Sequence, residues 1–441
     1  MDWNLNIRPL DEAAMAAARQ RQAQLAKPPG SLGRLEELSI QLAGITGSVH
    51  NRIEKKHLLV FAADNGVVAE GVSSAPQSVT LMQTVNLTRH KTGASTLCRH
   101  FGCGITVCDV GVNADIPEPK VLDRKIAYGT GNIAKGPAMT RDQALTALMT
   151  GAELARSIDA DVYGIGEMGI GNTTTSSAVL AVLLDADVEA VTGRGGGITD
   201  ASFLKKKNVI RQAIGINNPD KTDVIDVIAK VGGFDLARDT QADVLGIGEM
   251  GIGNTTTSSA VLAVLLDADV EAVTGRGGGI TDTGFLKKKQ VIKDAISMNR
   301  PDKTDVIDVI AKVGGFDIAA MCGAFLGAAA ARRPVVIDGF ISAVAALCAY
   351  RLCPEAVGYF VPSHASYEIG YKLAMDAMGL EPLFLLGMRL GEGSGCPLAF
   401  QILDAACAII NDMATFDQAG IDDGYLDEIR QGDNFSVEGA T

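Results

Sequence analysis

The chain has 441 residues, 47% hydrophobic and 21% charged, enough to bury a large core and to form two or three domains. Its formal net charge is −13 with no Lys/Arg-rich block, which excludes a broad nucleic-acid surface built on clustered positive charge. No stretch reaches the roughly 18 uninterrupted apolar residues of a membrane span, and the first thirty residues lack the apolar core of a secretory signal, so a cytoplasmic protein is expected.

Residues 1–50 read as mainly helical. The run KKHLLVFAADNG (55–66) then predicts a strand ending at a polar turn, and GITVCDVGV (104–112) predicts a second. Cys98, Cys103 and Cys108 around that second strand are read as buried free thiols rather than metal ligands, since none of the eight cysteines forms a C-x-x-C pair. ADVYGIG (160–166) and RPVVIDGF (333–340) are further strands, followed by Ala-rich helical stretches. Short strands alternating with helices imply parallel βαβ units in three layers. Ligands bind beyond the carboxyl ends of such strands, where Asp64, Glu167 or Glu249, and Asp338 fall. The segment from about 396 to 441 is again helical.

An internal repeat dominates the middle of the chain. GIGEMGIGNTTTSSAVLAVLLDADVEAVTGRGGGITD occurs at 164–200 and again at 246–282, an offset of 82 residues. NNPDKTDVIDVIAKVGGFDLA (217–237) likewise matches NRPDKTDVIDVIAKVGGFDIA (299–319). Such identity marks a recent or engineered tandem duplication rather than an old structural repeat, and two copies are too few for a solenoid. The copies span about 161–238 and 243–320, and removing 82 of the 441 residues leaves 359, a reasonable single enzyme. Only one copy can occupy the native place in the sheet; the other is expected as an inserted, appended segment.

Four motifs can carry chemistry. The glycine-rich run from Gly164 to Thr174, repeated from Gly246, reads as a turn between strand and helix, suited to an anion or to ribose hydroxyls. A purely structural turn is the alternative. Its G-x-G-x-x-G pattern also admits a dinucleotide site, although the glutamate inside the turn would repel a pyrophosphate. GRGGGITD, followed by FLKKK, is an irregular loop with lysines that either neutralise a phosphate or open a solvated helix. In PSHASYEIGYK (362–372), His364 and Glu368 have helical i,i+4 spacing, but without a third ligand a helix start lining the pocket is favoured over a metal site. In LLGMRLGEGSGCPLAF (385–400), Glu392 sits on a glycine-walled turn after an apolar run. A carboxylate there should have a raised pKa suited to a general base, the alternative being a solvated loop glutamate.

Together with KPPGSLGRLE (27–36), AADNGVVAEGVSSAPQSVT (62–80), KVGGFDIAAMCGA (312–324), DGFISAVAA (338–346), SHASYE (363–368), MRLGEGSG (388–395) and NDMATF (411–416), these motifs resemble the nicotinate-nucleotide–dimethylbenzimidazole phosphoribosyltransferases of cobalamin nucleotide-loop assembly. The resemblance covers nearly the whole chain once one repeat is set aside. It implies phosphoribosyl transfer from nicotinate mononucleotide to 5,6-dimethylbenzimidazole or a related base, giving nicotinate and α-ribazole 5′-phosphate.

The resemblance also implies site residues: Glu392 as general base, and Gln83 and Leu390 in the base pocket. Nucleotide contacts fall to Glu167, Gly169, Gly196 and Lys206, or to the repeat equivalents Glu249, Gly251, Gly278 and Lys288, together with Ser366. It implies no metal or organic cofactor, and a homodimer. The fold it implies is a doubly wound, Rossmann-like, mainly parallel α/β domain (51–395) with a smaller helical domain from 1–50 and 396–441. Two other functions stand beside this one: a nucleotide-binding scaffold disabled by the duplication, and a nicotinamide-dinucleotide oxidoreductase resting on G-x-G-x-x-G alone.

Overall fold

A computed structural model describes residues 6–70, 76–132, 135, 137–158, 161–168, 177–178, 188, 192, 200–217, 245–247, 262–264, 266, 270, 302–303, 305–306, 309, 315–367 and 369–426. The chain divides into two units, one of Met1–Arg8 with Lys55–Ala399 and one of Pro9–Glu54 with Phe400–Thr441.

The larger unit is an α/β fold on a parallel sheet. Its strands are β1 (Lys56–Ala63), β2 (Gly104–Gly111), β3 (Val121–Asp123), β4 (Val162–Met168), β5 (Leu245–Ile247), β6 (Val335–Ile337) and β7 (Phe360–Pro362). β1 lies between β2 and β4, β3 borders β2, and β6 lies between β4 and β7. The six residues Leu58–Ala63 of β1 are all buried, an unbroken apolar run of the kind that a strand covered on both faces requires. All four strands expected from apolar runs form. β4 runs further than the sequence suggests, because its backbone stays in register with β1 as far as Ala62↔Met168. Gly164 and Gly166 are strand residues, as the run 160–166 implied, and Glu167 and Met168, read only as turn, belong to the strand too.

β5 belongs to the second repeat and takes the place that β4 takes. Gly164 of β4 and Gly246 of β5 both align with Leu58 of β1 and with Val336 of β6.

Helices cover this sheet. They are α3 (Ser78–Thr88), α4 (Gly93–His100), α5 (Arg141–Ser157), α6 (Asp200–Asn217), α7 (Phe316–Ala330), α8 (Phe340–Leu352) and α9 (Ile369–Met378), numbered after two helices of the smaller unit. α3 packs against β1 to β4, while α7 crosses β1, β2, β4, β5 and β6 and pairs with α5. That pairing is unusually close. A Cβ on Gly151 would lie 1.8 Å from the Ala320 carbonyl oxygen, and one on Gly323 would lie 1.9 Å from that of Leu148. Small residues at the crossing let two backbones touch and bring α7, buried from Phe316 to Ala329, flat onto the sheet.

The smaller unit contains α1 (Glu12–Gln24), α2 (Arg34–Thr46), the part of α10 (Cys396–Asp412) from Phe400 onward, and α11 (Phe416–Ala419). Asp11 caps α1 by accepting the Ala14 N–H at 2.9 Å. Arg21 donates to the carbonyls of Ile410 and Met413, which lack partners beyond the helix end. The KPPGSLGRLE segment is closed by Lys27 Nζ on Glu36 Oε1 at 2.6 Å, and the same oxygen accepts the Leu32 N–H. Among the described residues no helix is long and apolar enough to cross a membrane.

Candidate active site

The site grows from the carboxyl end of β6. Asp338 follows Ile337 directly, and its backbone N–H donates to Ser342 Oγ in the first turn of α8. Its carboxylate Oδ1 accepts the Gly395 N–H at 2.5 Å, which fixes the far end of the turn 391–395. Ser363, the residue after β7, donates its hydroxyl to the Asp338 carbonyl and lies 3.0 Å from His364 Nδ1. A Cβ on Gly395 would meet His364 Nδ1 at 2.4 Å and Ser363 Oγ at 2.5 Å, so only glycine fits where these polar groups converge.

His364 does not lie on a helix. It forms an isolated bridge with Phe384 and stacks on that ring, and α9 begins only at Ile369. The i,i+4 spacing to Glu368 therefore has no helical meaning, and Glu368 itself is outside the described residues. Burial lowers the His364 pKa to about 4, so the imidazole is neutral. Its 3.8 Å approach to Asp338 is then a dipolar contact and not an ion pair. Among the described residues no group of His, Cys, Asp and Glu has the arrangement of a metal site. None of the eight cysteines is in a disulfide, and seven are buried.

The turn itself has an unusual backbone. Gly391, Glu392 and Gly393 have φ of +88°, +62° and +82°. Glycine adopts this region freely, but a glutamate there is strained at a cost on the order of 1 kcal/mol, which the surrounding structure must offset. The conformation drives the Glu392 side chain inward to 2% exposure. Its Oε2 accepts the Ala94 N–H at 2.8 Å, and the Thr92 hydroxyl and Gly93 N–H also hydrogen-bond the carboxyl. These three residues form the start of α4, where Thr92 is the N-cap in a capping box with Ser95. The carboxylate thus sits on unpaired helix donors at the positive end of the helix dipole. Burial raises the Glu392 pKa, and the hydrogen bonds from Ala94, Thr92 and Gly93 oppose the rise. The result is a desolvated carboxylate that stays ionisable yet accepts a proton more readily than a solvated one, as a general base requires.

The other sequence-derived residues distribute around this centre. Leu390 is 48% exposed and lies over the start of α4, where its Cδ2 fills the space a Cβ on Gly93 would need. Gln83 is half-buried on α3, which packs against α4, and its Oε1 accepts from Asn86 Nδ2. α3 is anchored by Thr80 Oγ1 donating to Asp64 Oδ1 at 2.7 Å, while Asp64 Oδ2 takes the Asn113 N–H. Ser366 is half-buried, and its Oγ shares with His364 the space beside Gly339. Glu392, Leu390 and Ser366 therefore border one connected network around Asp338 and α4. The backbone of Glu167 lies opposite Phe61 near the carboxyl end of β4. Lys206 is enclosed in α6, which lies against the 3-10 turn Gly66–Glu70. Gly169, Gly196, Glu249, Gly251, Gly278 and Lys288 lie outside the described residues.

Sequence reasoning placed Asp338 at a strand end without a role, and it missed Thr92, Gly93 and Ala94. The run Thr92-Gly-Ala-Ser95 was readable as a helix start, but nothing local links it to a glutamate 298 residues away.

A buried carboxylate on a helix N-terminus, its turn fastened through Gly395 to Asp338 at a strand's carboxyl end, lies where a parallel α/β fold binds its ligands. The phosphoribosyltransferase family profile matches residues 7–240 and again 236–421, so each match takes in one repeat. A nicotinate-nucleotide–dimethylbenzimidazole phosphoribosyltransferase of Clostridium tetani is 40% identical over 426 residues, covering 96% of both chains. That of Ruminiclostridium cellulolyticum is 44% identical over 417 residues, covering 95% of this chain and 96% of the relative. The crystal structure of the Thermus thermophilus enzyme of the same name superposes with a TM-score of 0.69 at 31% identity, covering 94% of this chain and 99% of that one. The chain belongs to the nicotinate-nucleotide–dimethylbenzimidazole phosphoribosyltransferase family.

Proposed function

We propose that the chain transfers the phosphoribosyl group of nicotinate mononucleotide to 5,6-dimethylbenzimidazole or a related base, with Glu392 as proton acceptor. The observation that carries the base assignment is the seating of the Glu392 carboxylate, buried yet hydrogen-bonded by the start of α4. A ring nitrogen of the benzimidazole attacks C1′ of the ribose as the C1′–N bond to nicotinate breaks. The pyridinium nitrogen takes the bond's electron pair and leaves as a neutral ring, so the departing group needs no acid. The proton on the second benzimidazole nitrogen passes to the Glu392 carboxylate, and α-ribazole 5′-phosphate forms with inversion. Glu392 contributes most as the ribosyl carbon becomes cation-like, since its charge then helps the nucleophile and the transition state together.

Leu390 and Gln83 border the base, and Ser366 faces the nucleotide. Glu167, Gly169, Gly196 and Lys206, or Glu249, Gly251, Gly278 and Lys288, complete the nucleotide contacts. The working form is a cytoplasmic homodimer, and light scattering of the purified chain would test its mass.

The coincidence of β4 and β5 in one position favours a second reading, a nucleotide-binding chain impaired by its duplication. Product formation from nicotinate mononucleotide and 5,6-dimethylbenzimidazole, measured for the chain and for Glu392→Ala, separates the two. Turnover lost in the variant supports the transferase with Glu392 as base. Binding of the nucleotide without turnover in the parent chain rejects it.

A further inference from the structure

β4 and β5 are one sequence present twice. The sequences around them read Val162-Tyr-Gly-Ile-Gly-Glu-Met168 and Val244-Leu-Gly-Ile-Gly-Glu-Met250, which differ only at Tyr163 and Leu245. The pairings coincide in register where they overlap, although β4 runs along β1 from Lys56 to Ala62 and β5 meets it only at Leu58. Gly164 and Gly246 each align with Leu58 and with Val336, and Tyr163 and Leu245 each align with Val335. The far edge of β1 is taken by β2, and the far edge of β6 by β7. One gap therefore remains between β1 and β6, and it is one strand wide. A strand edge offers a single row of N–H and C=O groups, so Leu58 and Val336 can pair with only one of the two strands at a time.

We propose that the two repeats are interchangeable occupants of this gap, so that the sheet forms in two arrangements, one completed by β4 and one by β5. Residues 164–200 and 246–282 are identical, so once seated each copy gains the same burial and the same ladder of hydrogen bonds over that segment. What differs is the approach to the gap. β4 follows α5 after only four residues and is clamped where it enters by two contacts with Lys55. The Asp161 N–H donates to the Lys55 carbonyl at 2.5 Å, and Asp161 Oδ2 accepts the Lys55 N–H at 2.6 Å. The second copy carries an aspartate at the equivalent position, Asp243, so it has the residue type for the same clamp. A difference of one decade in population needs only about 1.4 kcal/mol, well within what entry geometry and the Tyr163/Leu245 difference can supply in either direction. For catalysis, and resting on the transferase reading above, the nucleotide turn is then presented from whichever copy is seated.

The test uses the full chain with Ile165→Pro, Ile247→Pro and both together. Proline in a central strand removes a ladder donor and is not tolerated there, whereas an unseated copy accepts it. The expected result is that each single variant keeps a cooperative thermal transition within a few degrees of the parent, and that the double variant loses it. One single variant as damaged as the double shows a fixed occupant and overturns the proposal. Damage in both singles, showing that both strands are required together, overturns it as well, as does a double variant that unfolds like the parent. A second measurement is independent of whether the proline variants fold. In Leu58→Cys/Gly164→Cys/Gly246→Cys, oxidation should yield both the 58–164 and the 58–246 disulfide by peptide mapping, and a single species would overturn the proposal. Neither readout involves catalysis, so failure here is distinct from failure of the transferase assignment.

Discussion

The Oε2 of Glu392 accepts the backbone N–H of Ala94 at 2.8 Å, joining a left-handed turn to the first turn of α4. The contact settles how a carboxylate at 2% exposure remains ionisable. Burial favours the protonated form, while helix donors restore part of the lost solvation. Because burial raises the pKa, product formation should fall as pH drops through the raised value. Glu392→Gln should lower kcat by roughly 10²- to 10⁴-fold across the range. Its effect on stability has the opposite sense. A raised carboxylate pKa means that stability is complete at low pH and declines as pH rises through the folded-state value. The glutamine variant should therefore melt higher than the parent at neutral pH, with the gap closing in acid. A variant that melts lower at neutral pH would contradict this account.

Asp338 stands one step behind Glu392. Its carboxylate holds the Gly395 N–H at 2.5 Å and so fixes the end of the turn that carries Glu392. Asp338→Ala should lower kcat by up to about 10²-fold, the scale of a misplacement near 1 Å, with a smaller change in KM. Asp338→Asn retains an acceptor for Gly395 and should recover much of the loss. Equal damage in both variants would mean that the negative charge, and not the positioning, is what the site needs.

Gly93 touches both Leu390 and Glu392. A Cβ there would meet Leu390 Cδ2 at 2.4 Å and Glu392 Oε2 at 3.4 Å. Leu390 is half exposed and can swing away, so Gly93→Ala should fold normally and narrow the base side of the site. The expected outcome is a several-fold higher KM for dimethylbenzimidazole with little change in the KM for nicotinate mononucleotide. Steady-state kinetics varying each substrate would show the split.

The α5–α7 crossing sets a separate requirement. Gly323→Ala places a methyl 1.9 Å from the Leu148 carbonyl oxygen, a backbone atom that cannot move aside cheaply. Overpacking of this kind costs about 1–3 kcal/mol and more where backbones must separate, so the variant should melt several degrees lower or fail to accumulate. Gly379→Ala, at a helix end with open space around it but φ of +66°, should lose only about 1 kcal/mol.

Acid stability should follow two histidines, His364, which is buried, and His57, which is partly so. Burial lowers both His57 and His364 to a pKa of about 4 from 6.5. The unfolded chain binds a proton at each between those values, so folding stability falls as pH drops from about 6.5 to 4, by up to about 3 kcal/mol per residue. Denaturant titrations at pH 7, 5.5 and 4.5 should show this slope, and His57→Gln should flatten it. An unchanged slope in that variant would assign the acid sensitivity to carboxylates instead.

Much of this protein was legible in its residues. The apolar runs at 55–66, 104–112 and 333–340 announced buried parallel strands because a strand covered on both faces has no polar alternation to hide. The glycines flanking Glu392 announced a turn, but the apolar run leading into it does not cover the site: Leu385 and Leu386 are 79% and 63% exposed, and the start of α4 seats the carboxylate instead. The seven ordered motifs carried the family, and the repeat was plain as identity at an offset of 82 residues. Local reading failed where a neighbour in space decided the outcome. The strand at 160–166 and the turn from Gly164 overlapped as local readings, and Glu167 and Met168 read only as turn, yet β1 supplies ladder partners through Met168 and keeps them extended. His364 and Glu368 read as helical neighbours, yet pairing with Phe384 holds His364 outside α9.

The sequence by itself determined the sheet's apolar strands, the carboxylate on its glycine turn and the presence of two near-identical copies, because each is a property of contiguous residues. Only the tertiary structure decided that α4 supplies the donors for Glu392, that Asp338 fastens its turn, and that both copies fit a single gap. Those are contacts between segments far apart in the chain, fixed by how the sheet brings strand ends together, and no local pattern records them.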